Sequence, residues 1–274
     1  MLIPTYYMQA NGAQAVYILG RRPASLQNVA DAAANHTIIP IVTDVTSQES
    51  LAAAAATVRA KEGVVDVLIT SSGISGSPQF GIFPGTTSAD QPLPAISDIQ
   101  SKLWSVPMEV WTQTMHVNVT GVFYTIVAFL DLLDAGNHQP TRSPSRPKSQ
   151  VIIISSISGY SRLPGVTMSY GQSKAAATHM GKQLSTNLAP YKIRVNVICP
   201  GMFPTEMTES ILPQGKDPCV EGNVPTSLSP LGRYGSEEDM AGLILYLVSR
   251  AGTYVDGCVQ VADGGRLAQI PSTY

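Results

Sequence analysis

Six short runs of apolar, largely β-branched residues limit what this chain can fold into: AVYIL at 15–19, IIPIVT at 38–43, VVDVLIT at 64–70, VIIIS at 151–155, IRVNVIC at 193–199 and CVQVA at 258–262. Each is mostly continuous rather than alternating, and a strand without a polar face must be covered on both sides, as in a parallel sheet. Helical stretches separate them. One at 47–61 follows a Thr46/Ser47 cap and is rich in alanine, one at about 107–134 starts at Pro107, and a third covers about 167–188. A fourth, 236–250, opens with Ser236 ahead of the acidic turn Glu237, Glu238, Asp239. Strand and helix in alternation predict an α/β fold with right-handed crossovers, a doubly wound sheet with helices on both faces. Segments 74–100 and 135–149, dense in Gly, Pro or Ser, read as surface loops rather than linkers. One domain over 1–274 is therefore expected, with its core in 1–265 and a short tail at 266–274.

Composition narrows the class of partner. With 44% hydrophobic and 13% charged residues, 274 residues can bury one substantial core. A net charge of −2 and the lack of any Lys/Arg-rich run argue against nucleic acid or an anionic membrane, which leaves a small molecule as the expected ligand. Cys199, Cys219 and Cys258 offer neither a disulfide framework nor zinc spacing, as suits a reducing compartment. Residues 1–14 lack the basic start and apolar centre of a signal peptide, and no run of 18 apolar residues follows. The expected location is the cytoplasm, where the sequons at Asn35 and Asn118 have no meaning. The histidines His36, His116, His138 and His179 lack ligand spacing, so no metal is expected, and there is no GxSxG hydrolase elbow.

The chemistry concentrates in SYGQSK, residues 169–174. Tyr170 and Lys174 are four apart and so lie on one helical face. An ammonium beside a phenol stabilises phenolate and lowers a pKa that is ordinarily about 10, making the tyrosine a usable general acid/base at an alcohol oxygen. Upstream, Ser156 stands where the 151–155 strand runs out, at the carboxyl end where open α/β sheets hold their ligands. Asn118 sits in mid-helix among apolar neighbours, a place an amide accepts only with a polar partner. Taken singly, each has an ordinary reading: YxxxK as a surface pair, Ser156 as a turn or cap, Asn118 as a structural amide at a helix bend, and Cys199 as a small packing residue.

Together, in this order, Asn118, Ser156, Tyr170 and Lys174 resemble the tetrad of the short-chain dehydrogenase/reductase family. The PGMFPTEM turn at 200–207 and the closing stretch 232–265 extend the likeness from about residue 10 to 265. The resemblance implies a Rossmann-like NAD(P)-binding domain that interconverts a carbonyl and a secondary alcohol by hydride transfer. Tyr170 would be the acid/base, Ser156 would orient the carbonyl, Lys174 would lower the tyrosine pKa and bind the nicotinamide ribose, and Asn118 would hold a water in the proton relay. Gly20, Arg21 and Arg22 follow the 15–19 strand with no acid at its tip, which favours the 2′-phosphate of NADP(H) over NAD(H); alone, the two arginines are equally a solvated strand end. By the same likeness Asp44 and Val45 would meet the adenine, Ser72 and Gly73 would line the cofactor, and Pro200, Gly201 and Thr205 would hold the nicotinamide. A homodimer or homotetramer built on the 107–134 and 167–188 helices is also implied.

In that family a first strand and a TGxxxGIG turn precede the strand corresponding to 15–19, and their backbone amides cradle the pyrophosphate. Only Gly12 precedes residue 16 here, and QANGAQ reads as the end of the first helix. The expectation is an N-terminal truncation that leaves the 15–19 and 64–70 strands each with an unpaired edge, or pairs them with one another. Two alternatives to an active reductase follow: a non-catalytic binding or dimerisation protein of this fold, or a chain whose opening segment is encoded upstream.

Overall fold

The computed structural model describes residues 4–33, 37–77, 93–140, 146–164, 167–209, 212 and 215–273. His36 and Asn35 lie outside these residues, as do parts of the 74–100 and 135–149 segments. All six apolar runs are strands: β1 (Val16–Gly20), β2 (Ile38–Val42), β3 (Val67–Thr70), β4 (Gln150–Ile154), β5 (Arg194–Pro200) and β6 (Val259–Ala262). Every pairing among them is parallel, as the doubly wound α/β fold requires.

The helices number more than the sequence signals suggested. α1 (Pro4–Ala10) precedes β1, α2 (Pro23–Asp31) follows it, and α3 (Gln48–Lys61) follows β2. α1 ends at the Asn11–Gly12 turn, with Gly12 at φ 89°, which agrees with QANGAQ closing a helix. α2 was missed because it is short and buries only Leu26 and Ala30, although Pro23 marks its first turn. α4 (Ile96–Trp104) corrects the reading of 74–100 as loop throughout. It buries none of its residues, so it has no apolar stripe turned to the core. The long helix comes in three pieces: α5 (Met108–Met115), a π-helical turn (His116–Gly121) and α6 (Val122–Asn137). Met108–Asn137 is long and apolar enough to cross a bilayer; here its buried side packs on α3, α7 (Met168–Leu188) and the sheet. α8 (Glu237–Val248) opens on a capping box in which Ser236 and Asp239 satisfy each other's backbone amides.

The core obeys the two-residue period of a strand. Val151, Ile153, Val195, Val197 and Cys199 face α6 and α7, while Ile152, Ile154 and Ile198 face Met240, Ile244 and Leu247 of α8. Ile18 packs against α2 on one side of β1, and Tyr17 and Leu19 pack toward α3 on the other.

Six strands do not make one sheet. β2–β1 forms a two-stranded sheet and β3–β4–β5–β6 a four-stranded one. Among the described residues the facing edges of β1 and β3 have no strand partner, and the alternative in which they pair with each other is not adopted. A cavity of ≈ 460 Å³ runs between them from Lys148 and Gln150 at the amino ends of the strands to Thr70, Ser71 and Ser72 at the carboxyl ends.

Candidate active site

The predicted residues gather at the carboxyl ends of the strands. β4 leaves the sheet at Ser155–Ser156, where extended backbone turns into a short 3₁₀ segment, Ile157–Gly159. Ser156 caps that segment: its hydroxyl accepts from the Ser158 amide at 3.1 Å. Gly159 lets the segment lie directly on α7, because a Cβ there would stand 2.8 Å from the Ala175 amide nitrogen. Ser156 is thereby held against the face that carries Tyr170 and Lys174. The Ser156 hydroxyl lies close enough to the Tyr170 phenol to act on its ionisation, lowering its pKa.

The electrostatics differ from the simple pairing expected of YxxxK. Burial raises the Tyr170 pKa, and the hydrogen bond from Ser156 opposes this only in part. Lys174 is 5% exposed, and burial lowers its pKa to about 8. Its Nζ donates to the Ile154 carbonyl at 2.9 Å and lies 5.7 Å from the centroid of the Tyr170 ring. The carbonyl anchors the ammonium, so in this state the phenol is governed by burial and Ser156 rather than by the lysine charge.

Asn118 is fully buried in the π turn, a departure from α geometry that frequently marks functional positions. Its Oδ1 accepts from the Ile74 amide at 2.8 Å, and its Nδ2 donates to the Ile74 carbonyl and to Ser173 Oγ, both at 2.9 Å. Both amide hydrogens are spent, and the side chain ties the segment after β3 to α7. Gly73 fits this knot because a Cβ would come within 3.3 Å of Asn118 Oδ1 and 3.5 Å of Lys174 Nζ. Ser173 and Ile74 are the positions that sequence reasoning missed. Ser173 stood inside the SYGQSK motif, one turn of helix from Tyr170, whose carbonyl it bonds at 2.7 Å.

The residues assigned to a cofactor form two groups. On one side, Pro200 and Gly201 end β5, and Thr205 Oγ1 meets Thr208 Oγ1 at 3.1 Å in the loop beyond. Gly201 is needed for packing, since a Cβ would stand 2.6 Å from Asp263 Cα. On the other side, Gly20, Arg21 and Arg22 leave β1 beside Asp44 and Val45. Asp44 accepts from the Thr46 amide and hydroxyl at 2.9 and 2.7 Å, which lowers its pKa, with a smaller contribution from Arg21. Val45 packs on Gly121 of the π turn. Arg22 is held by both oxygens of Glu206, at 3.0 and 2.8 Å, so the loop after β5 reaches across to the tip of β1. No pattern in the sequence announces this pair. Ser72 lines the cavity between the two groups. Among the described residues there is no cluster of potential metal ligands.

A parallel α/β sheet with a serine, a tyrosine, a lysine and a buried asparagine converging at its carboxyl edge defines a class, the doubly wound oxidoreductases. The chain belongs within it to the short chain dehydrogenase family, whose profile matches residues 5–216. It is 43% identical over 268 residues to the short-chain dehydrogenase/reductase PhomF of Diaporthe leptostromiformis, covering 97% of this chain and 87% of that protein. It is 40% identical over 276 residues to the short-chain dehydrogenase/reductase SAT3 of Stachybotrys chartarum, covering 96% and 97%. Among solved structures it is similar to the RhlG/NADP active-site complex of Pseudomonas aeruginosa, with a TM-score of 0.74 and 27% identity over 97% of this chain and 91% of that one.

Proposed function

We propose that this protein is an NADP(H)-dependent oxidoreductase that interconverts a small carbonyl compound and the corresponding secondary alcohol. The observation that carries the reading is the convergence of Ser156, Tyr170 and Lys174 at the end of β4, with Lys174 Nζ anchored on the Ile154 carbonyl 5.7 Å from the centroid of the Tyr170 ring. Ser156 would share its hydroxyl with the substrate oxygen and orient it, Tyr170 would give or take the proton there, and Lys174, charged at neutral pH, would favour phenolate once the site is filled. Asn118 serves by fixing the Ile74 segment and α7. The support for NADP(H) is Arg21 and Arg22 at the tip of β1 with no acid in the strand itself, together with the NADP complex of the similar bacterial structure.

The fit to such a cofactor is divided. Tyr170, Lys174 and Thr205 suit a nicotinamide riboside, and Arg21, Arg22 and Asp44 suit an adenosine phosphate. Between them, where the pyrophosphate would lie, the described residues present a cavity rather than a turn rich in backbone amides.

Phe123, Tyr124 and Val127 of α6 are partly exposed, and the two rings meet edge to face at 5.4 Å. This apolar strip supports a homodimer or homotetramer. The free thiols of Cys199, Cys219 and Cys258 fit a reducing cytoplasm.

The test is Tyr170→Phe. NADPH oxidation against a panel of ketones and aldehydes should fall by about 10²–10⁴-fold, with unchanged far-UV circular dichroism. A folded variant that keeps its rate would sink the reading.

A further inference from the structure

Residues 266–273, expected as part of a short tail, return to the candidate active site. β6 ends at Ala262, and Asp263 then turns the chain: its carboxylate accepts from the amides of Gly265 and Leu267 at 2.9 and 2.7 Å. Gly264 and Gly265, at φ 63° and 83°, supply the left-handed backbone of the turn. A short 3₁₀ segment, Arg266–Gln269, follows, and Leu267 inside it is 1% exposed. Residues 268–273 bury no side chain, so their course is set by directional bonds rather than by packing.

Those bonds fall on the segment between Ser156 and Tyr170. The Arg162 amide donates to the Pro271 carbonyl at 2.7 Å and the Thr273 amide to the Tyr160 carbonyl at 2.9 Å, which pairs Ser161 with Ser272 as an antiparallel bridge. Arg162 Nη2 donates to the Ser272 carbonyl at 3.2 Å, and Ser272 Oγ donates back to the Leu267 carbonyl at 3.1 Å. Tyr160 is also where the 3₁₀ turn after β4 closes: its amide donates to the Ile157 carbonyl at 3.0 Å, while the Gly159 amide donates to the Ser156 carbonyl at 3.1 Å. The tail thus grips the far end of a turn whose near end is Ser156. At its own start it holds a second loop. Arg266 donates to the Leu228 carbonyl, and Gly264 lies so close on Ser229 that a Cβ would stand 2.8 Å from its Oγ. The tail therefore braces together the loops that leave β4 and β5.

We propose that residues 270–273 are a positioning strap: by pairing with Tyr160–Arg162 they hold the Ile157–Gly159 turn against α7 and so keep the Ser156 hydroxyl beside the Tyr170 phenol. They are positioning residues, since they act through Ser156. The inference rests on the roles given above to Ser156 and Tyr170. A tail that is merely structural would lower stability when loosened and leave the phenol alone, whereas a strap changes the phenol only while Ser156 keeps its hydroxyl. Lys174, the charged neighbour of the phenol, is anchored on the Ile154 carbonyl and stands outside the strap.

The test is a cycle of full-length chains: the parent, Thr273→Pro, Ser156→Ala and the double variant. Proline at 273 removes the N–H given to Tyr160. The titration of Tyr170 is read by absorbance near 295 nm after subtraction of the same chain carrying Tyr170→Phe. Thr273→Pro should move it upward, in the direction of Ser156→Ala, and should add nothing in the Ser156→Ala background. Thr273→Val, which keeps the N–H, should titrate as the parent does. If Thr273→Pro loses the far-UV circular dichroism of the parent, Ser272→Gly takes its place with the same expected direction, because it loosens the strap and keeps every main-chain donor. The proposal is overturned if the phenol of the folded strap variant titrates as in the parent, or if its shift is as large without the Ser156 hydroxyl as with it. A silent strap variant beside a shifted Ser156→Ala counts against the strap alone. A Ser156→Ala chain that titrates as the parent does removes the pair itself, and the strap falls with that reading of the site.

Discussion

Asn118 Nδ2 and Ser173 Oγ lie 2.9 Å apart where the π turn of the long helix crosses α7. That contact joins the segment after β3 to the helix carrying Tyr170 and Lys174, because the same amide group also bonds both backbone groups of Ile74. Asn118→Ala should leave those partners unsatisfied and cost about 2–4 kcal/mol, from the penalty per stranded buried group. Asn118→Asp keeps the acceptor for the Ile74 amide and should recover part of the loss. Urea denaturation midpoints of the three proteins measure this, and equal stability would remove Asn118 from the positioning role.

Lys174 makes stability depend on pH in an unusual direction. Its proton leaves at about 8 in the folded chain, against 10.5 for an ordinary lysine. Below pH 8 both states hold the proton, and the cost of burying the charge is fully present. Between 8 and 10.5 the unfolded chain binds a proton that the folded chain has released, so stability rises with pH through this window. The gain is about 3 kcal/mol at most. Lys174→Met should be more stable than the parent at pH 7 and should lose the rise, which denaturant curves at pH 7, 8, 9 and 10 would show.

Ser156 supplies the one influence that lowers the Tyr170 pKa against burial. Ser156→Ala should therefore push the phenol higher still. Absorbance titration near 295 nm, with Tyr170→Phe subtracted to isolate this tyrosine, reads the shift directly. A phenol that titrates lower in the alanine variant would mean that the hydrogen bond favours the neutral form.

How much of this site was legible beforehand depended on the reach of each interaction. Ser156, Tyr170 and Lys174 are local features of a strand end and one helical face, and the parallel strands follow from continuous apolar runs. α4 escaped because it packs nothing into the core, and α2 because nine residues with two buried positions give little periodicity. The bonds from Asn118 to Ile74 and from Arg22 to Glu206 join residues 44 and 184 positions apart, and no spacing rule connects them. Whether the 15–19 and 64–70 runs would pair with each other was open in the sequence, and the structure keeps β1 and β3 in separate sheets.

Arg22 and Glu206 give a prediction in which stability and binding part company. Both side chains are largely exposed, 67% and 74%, so breaking the pair with Glu206→Gln should change stability by no more than about 0.5 kcal/mol. Under the proposed cofactor preference, the same change frees a guanidinium suited to bidentate contact with phosphate. Adenosine 2′,5′-bisphosphate, which carries the distinguishing 2′-phosphate without the pyrophosphate bridge, should bind Glu206→Gln more tightly than the parent. Arg22→Gln should bind it more weakly, and adenosine 5′-monophosphate should not distinguish the three. Calorimetric titration at low and high salt measures all of these. If the two variants bind the bisphosphate as the parent does, the phosphate is not read at the tip of β1, and the preference for NADP(H) loses its structural support.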